Sequence, residues 1–150
     1  MADCLPILFY DRVKRVVGVA HAGWRGILQG IVKQAVSSMS KQGSKVGDII
    51  VGLGPSIRSC CYDIDEKRLI LFAGSFNNWE TKFIKRENGR IFLDLQRLVK
   101  LQLISLGIPD RNIEDSMICT KDNISEFYSY RGGMEREKEA VGAAIIGIGI

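Results

Sequence analysis

The order of apolar segments along the chain predicts an α+β fold with mixed sheets. Three observations carry this reading: an early pair of extended, β-branched segments joined by a short polar turn, helix-period stretches scattered irregularly among later strands, and glycine or proline at many segment ends. A doubly wound parallel fold would alternate strand and helix more regularly.

The elements follow in order. Leu5 to Tyr10 and Arg15 to His21 read as a hairpin around Asp11-Arg12-Val13-Lys14. Between Gly26 and Gln42, the residues Ile27, Ile31, Val32, Ala35, Val36 and Met39 recur at helical spacing, and Gly43 ends the run. Asp48 to Leu53 is a short buried strand that stops at Gly54-Pro55-Ser56, and Arg58 to Tyr62 is irregular. A helix from Asp63 carries Leu69, Leu71, Phe72 and Phe76, and 77–88 reads as a loop or an edge hairpin. Arg90 to Leu93 is a strand, and Asp94 is placed to cap a helix through Leu106 that Gly107 and Pro109 stop. Ile113 to Cys119, Glu126 to Tyr130 and Val141 to Ile150 read as further strands, with the charged run 135–139 before the last.

With 150 residues and 46% hydrophobic content, the chain has material for one core, so a single domain over 1–150 is expected. The net charge of +4 comes from interspersed rather than clustered basic residues, which argues against a nucleic-acid surface and leaves a small anionic substrate compatible. Four cysteines at 4, 60, 61 and 119 form no CxxC pair, and no apolar run is long enough to span a bilayer; free thiols in the cytoplasm, away from membranes, are the expectation. The chain opens inside what reads as a buried strand, as if it were the C-terminal part of something longer.

Cys4 and His21, the only histidine, each lie at the end of a strand of the hairpin. They suit either a transition-metal site or a cysteine nucleophile with its base, although a lone cysteine is commonly a buried apolar group. Gly23-Trp24-Arg25-Gly26 opens a helix, where backbone amides and the Arg25 fork suit an anion. Arg58, after Gly54-Pro55-Ser56-Ile57, is a second arginine beside a turn, while Cys60 and Cys61 serve equally well as packing groups. Phe127, Tyr130 and Arg131 set aromatics beside an arginine, suited to stacking a planar base or sugar, although such residues taken singly are usually core.

Taken together, Ala2-Asp3-Cys4-Leu5-Pro6-Ile7, Ala20-His21-Ala22-Gly23-Trp24-Arg25-Gly26, Gly54-Pro55-Ser56-Ile57 with Cys60-Cys61-Tyr62, Leu93-Asp94-Leu95, and Cys119-Thr120 with Phe127-Tyr128-Ser129-Tyr130-Arg131 resemble the YfiH family, also called the laccase-domain or polyphenol oxidase family. The matches run in family order from residue 1 to 131. The resemblance implies a layered α/β/β/α sandwich and zinc bound by a cysteine and two histidines, with Cys4 and His21 matching two of the three. The family's remaining histidine belongs to a Val-His-Gly-like motif upstream of Ala-Asp-Cys and has no counterpart in this chain, so weak or absent zinc is expected here. At 132–140 the sequence also departs from the family's Gly-Arg-Met-Ala stretch.

The activity implied is that of a purine nucleoside phosphorylase acting on adenosine, inosine and methylthioadenosine with phosphate, with adenosine deamination beside it. Cys4 and His21, with zinc, would sit at the reacting centre, Arg25 and Arg58 would take phosphate, Phe127 and Tyr130 would take the purine face, and Arg131 would also bind substrate. A peptidoglycan-precursor editing hydrolase using Cys4 as nucleophile, a copper-dependent phenol oxidase and an inactive fragment are the alternatives. Copper ranks below zinc because copper sites draw largely on imidazole.

Overall fold

The computed structural model describes residues 1–75 and 83–133. In chain order the elements are β1 (Leu5–Asp11), β2 (Val16–Ala22), α1 (Trp24–Leu28), α2 (Ile31–Lys41), β3 (Ile49–Leu53), β4 (Asp63–Ile64), α3 (Glu66–Ala73), β5 (Ile84–Glu87), β6 (Arg90–Leu93), α4 (Leu95–Ser105), β7 (Ile113–Asp115) and α5 (Tyr130–Gly133). Short 3-10 turns precede β3 and β7.

The hairpin forms as its alternation predicts, with Leu5 opposite Ala22 and Asp11 opposite Val16. Its turn is organised by the buried Asp11, whose Oδ1 accepts the amides of Val13 at 2.8 Å and Lys14 at 3.0 Å. β3 joins β1 antiparallel and β7 joins β3 parallel, giving a mixed sheet in the order β2-β1-β3-β7. A second, antiparallel sheet has the order β4-β6-β5. The α+β class with mixed sheets is therefore borne out.

The core lies on one face of the larger sheet. Leu5, Ile7 and Phe9 of β1 point there with Val51 and Leu53 of β3, meeting Val32, Val36 and Met39 of α2 and Leu98, Val99 and Leu103 of α4. Gly18, opposite Phe9, allows this close approach: a Cβ there would stand 3.1 Å from the Met39 Sδ. The other face carries half-buried Leu8, Tyr10 and Val17, with Val19 49% and Ile50 37% exposed.

Several expected elements change. The single helix over 26–42 is divided into α1 and α2 by Gly30, whose φ of 80° no helix accommodates. The strand expected over 113–119 ends at Asp115, because Met117 turns left-handed at φ 59° and gives its amide to the Asp115 Oδ1 at 2.9 Å. The strand expected over 126–130 does not form. Turns occupy 120–126, the Asn123 carbonyl accepts the amides of Glu126 and Phe127, and the Ser129 Oγ accepts the Gly132 amide at the start of α5. The cap read at Asp94 forms, accepting the Arg97 amide at 2.9 Å. The helix read from Asp63 begins instead at Glu66, because Asp63 and Ile64 pair with β6 as β4, and Asp65 is its cap, accepting the Arg68 amide at 2.7 Å. The loop or edge hairpin read at 77–88 contributes β5, joined to β6 through Asn88 and Gly89, both at positive φ. Phe76, the charged run 135–139, the stretch after Gly133 and the final apolar run 141–150 lie outside the described residues.

Candidate functional site

A cavity of about 340 Å³ opens where β1 begins and β2 ends, walled by residues from separate stretches of chain that include Cys4, Trp24, Tyr62, Arg68, Tyr130 and Arg131. Asp3 sets its floor. It is 8% exposed and sits at φ 71°, a left-handed geometry that a non-glycine residue holds only when its surroundings fix it. They do so on every side: the Thr120 hydroxyl donates to Asp3 Oδ1 at 2.7 Å, the Arg131 amide donates to Oδ2 at 2.7 Å, and the Ile57 amide donates to the Asp3 carbonyl at 3.0 Å. The next residue, Cys4, is thereby aimed at the cavity. Burial pushes its thiol pKa up, and the neighbouring Asp3 carboxylate adds to the effect.

Two aromatic faces line the cavity, each met by an arginine. Arg68 and Arg25 both lie 4.7 Å from the centre of the Trp24 ring, and Arg131 lies 5.5 Å from that of Tyr62. The Arg68 Nε is buried and has no hydrogen-bond partner among the described residues, so it is a donor in want of an acceptor. The Arg131 guanidinium is partly occupied, donating to the Asp63 carboxylate at 3.1 Å and to its carbonyl at 3.0 Å. Burial raises the Tyr62 pKa, so the phenol stays neutral.

Of the residues singled out from the sequence, Cys4, Tyr130 and Arg131 line this cavity. His21 lies at the same end of the β1–β2 ladder, opposite Pro6, with its side chain exposed and off the cavity wall. Arg25 reaches the site through Trp24, which it stacks on. Arg58 turns away: its guanidinium makes a two-pronged ion pair with Asp115, at 2.8 and 3.0 Å. Phe127 is half-buried in the turns before α5 and outside the cavity wall. Arg68 was not singled out, although a signal was there, since a cation in the first turn of a helix opposes the helix dipole and wants another reason to be present.

A second group of side chains lies behind the cavity. Cys60, Cys61, Cys119 and Asp122 bring one donor atom each within 4.8 Å of one another and could hold a metal ion. The Cys60 and Cys61 thiols donate to the two Asp122 oxygens at 3.1 and 3.0 Å. Burial and these hydrogen bonds push the Cys60 pKa up to about 12 and raise Cys61 as well, while the thiols lower that of Asp122.

A family model described as multi-copper polyphenol oxidoreductase laccase matches residues 1–150. The chain belongs to this family. The resemblance to YfiH proteins is borne out in structure too: the Bacillus licheniformis hypothetical protein YfiH superposes with a TM-score of 0.81 at 35% identity, over 89% of this chain and 51% of that one. The purine nucleoside phosphorylase YlmD of Bacillus subtilis (strain 168) is 37% identical over 131 residues, 87% of this chain and 47% of its own length. The adenosine deaminase RL5, from an unknown prokaryotic organism, is 32% identical over 131 residues, 87% of this chain and 50% of that protein. The chain thus spans about half the length of these relatives. That share is what the comparisons establish; the expectation of a C-terminal part is not borne out by them. No helix among the described residues is long and apolar enough to cross a membrane.

Proposed function

We propose that this chain supplies the base-binding wall and the Cys4 centre of a purine nucleoside phosphorylase that cleaves adenosine, inosine and methylthioadenosine with phosphate. The observation that carries the reading is the cavity, in which two aromatic faces, an arginine with an unpaired buried Nε and a half-buried thiol converge in a volume suited to a small molecule. The Bacillus subtilis relative, a purine nucleoside phosphorylase, supports the reaction class.

In phosphorolysis a phosphate oxygen attacks C1′ of the ribose, the bond from C1′ to the purine breaks, and its electron pair leaves on the purine, which takes up a proton. Trp24 and Tyr62 offer faces for the flat base, and their side chains keep water from it. Arg68, on the cavity wall, offers its guanidinium to an anion, and Arg131 shares that duty once its grip on Asp63 loosens. Arg58 would have to abandon Asp115 to bind phosphate, so Arg68 takes that role in this reading. With its raised pKa, the Cys4 Sγ holds a proton at neutral pH beside the cavity, and the exposed His21 lies at the same end of the β1–β2 ladder. Tyr130 flanks the base from the cavity wall, and Phe127 stands outside it.

Cys4 and His21 are donor types that zinc takes, they share one end of one ladder, and Gly23 leaves the thiol uncovered: a Cβ there would stand 3.1 Å from the Cys4 Sγ. The pair fits zinc better than copper, whose sites draw on several imidazoles, because this chain has one histidine. Bound there, zinc would supply positive charge that favours the thiolate and polarises a substrate oxygen. Hydrolytic loss of the adenosine amino group is a second activity of the same cavity, favoured by the relative named adenosine deaminase RL5. A hydrolase using Cys4 as nucleophile draws less support, since burial and Asp3 hold the thiol protonated.

The test is product analysis. The protein that carries this chain, given adenosine and phosphate, should release adenine and ribose 1-phosphate, and Cys4→Ala should lower the rate by at least about a hundredfold, as loss of a group at the reacting centre does. Equal turnover by wild type and Cys4→Ala, or no adenine from either, would sink the reading.

A further inference from the structure

We propose that Cys60, Cys61, Cys119 and Asp122 form a structural zinc site that clamps the two loops behind the cavity, distinct from the Cys4 and His21 pair. This inference does not rest on the phosphorylase reading. The four donors come from two loops far apart in sequence and already lie within 4.8 Å of one another. In a tetrahedral site with Zn–S distances of ~2.3 Å and Zn–O of ~2.0 Å, sulfurs stand ~3.8 Å apart and a sulfur and an oxygen ~3.5 Å, so the widest pair must close by no more than ~1.3 Å. Cys119 is 5% exposed and fixed, whereas Cys60 is exposed and free to adjust.

The surrounding scaffold holds the loops in register. A parallel bridge joins Ser56 to Cys119: the Ser56 amide donates to the Ile118 carbonyl at 3.3 Å, and the Thr120 amide donates to the Ser56 carbonyl at 3.2 Å. Gln96, buried in α4, donates to the Ser56 Oγ at 2.7 Å and to the Ile57 carbonyl at 2.8 Å. The Arg58 pair with Asp115 spans the same two loops. Three thiolates select a soft ion over calcium or magnesium, and four protein donors close a tetrahedral shell, the mark of a structural site with no place for substrate. Three thiolates and a carboxylate leave the bound assembly net negative, and the charges of Arg58 and Lys121 act on Cys60 and Asp122 to offset it.

Without an ion the thiol protons fill the space between sulfur and carboxylate, as the bonds to Asp122 show. Zinc would displace them, forming bonds from metal to sulfur and releasing protons to buffer, with no change of oxidation state. The clamp would reach the cavity through neighbours in the chain: Thr120, next to Cys119, holds Asp3, and Tyr62, next to Cys61, forms part of the wall.

The experiment is cobalt(II) titration of the full chain carrying Cys4→Ala, which silences the other candidate pair, followed by zinc competition. One cobalt ion per chain should give a thiolate-to-cobalt charge-transfer band with the strong visible bands of a tetrahedral site, zinc should abolish them, and its binding should release protons. Changing Cys60, Cys61 and Cys119 together to Ser should remove the bands. Asp122→Asn, at an exposed position that leaves folding intact, should weaken zinc at least ~100-fold, the upper end of what loss of a supporting partner alone costs. A Cys4→Ala chain without a charge-transfer band, the same band in the triple variant, unchanged zinc affinity in Asp122→Asn, or recovery of these sulfurs as a disulfide from reducing zinc buffer would each overturn the proposal.

Discussion

Asp3 and Asp122 lie on opposite sides of one dipeptide, Cys119-Thr120, and their surroundings differ completely. Asp3 is buried, and both its oxygens accept hydrogen bonds that the fold itself supplies, from the Thr120 hydroxyl and the Arg131 amide. Asp122 is exposed, and its oxygens accept from two thiols whose protons a cation can replace. The first carboxylate joins the start of β1 to the segment that leads into α5; the second has lone pairs to offer a ligand. The same residue type thus serves architecture in one place and chemistry in the other, according to who donates to it.

The largest effect should come from breaking the first. Asp3→Ala strands a buried hydroxyl and a backbone amide, each worth roughly 1–3 kcal/mol when left unpaired, and removes a residue that tolerates left-handed φ better than alanine. Unfolding in urea should show a loss of about 3 kcal/mol, and Asp3→Asn, which keeps the backbone preference and one acceptor, should lose less. If alanine cost under ~0.5 kcal/mol, the ordinary range for a surface position, Asp3 would not be the joint described here.

Much of the frame was legible in the sequence, and the reason is local. The β1–β2 alternation, the Asp94 cap and the Gly107 stop each depend on residues a few positions apart. The strand expected at 126–130 failed for a local reason also, since Asn123 and Ser129 offer the backbone side-chain and turn partners that compete with a ladder. The site was legible where a strand end aims a residue, as at Cys4. Arg68 and the thiol cluster were not, because they depend on packing between distant segments: α3 lays Arg68 on Trp24, and the Ser56 to Cys119 bridge brings Cys60 and Cys61 to Asp122. The spacing of the cysteines carried no trace of that bridge.

A smaller effect should sharpen the contrast through pH. Burial alone would raise the Asp63 pKa, but the Arg90 hydrogen bond and the charges of Arg90 and Arg131 outweigh it and hold the carboxyl below its usual value. A carboxylate with a depressed folded pKa contributes stability that is whole above its unfolded value, near ~3.9, and is lost as pH falls through the folded value. The urea midpoint should therefore begin to drop near pH ~4 and continue below it, and Asp63→Asn should flatten that slope. Its Arg131 contact ties this titration to the cavity, so an unchanged slope in the variant would show that the ion pair is too well screened by solvent to matter.

The smallest effect is the most telling. Asp122→Asn in metal-free buffer should shift stability by under ~0.5 kcal/mol, since the side chain is exposed and an amide oxygen can still accept from one thiol. In zinc the two proteins should part, because an ion that binds only the folded state adds stability that grows with its concentration over Kd, and the variant would bind too weakly to gain it. Urea midpoints of both proteins, with and without zinc, decide the point. Equal midpoints without zinc and a higher wild-type midpoint with it would mean that the Asp122 lone pairs are held for a cation, whereas a large loss already present without metal would make Asp122 a second Asp3.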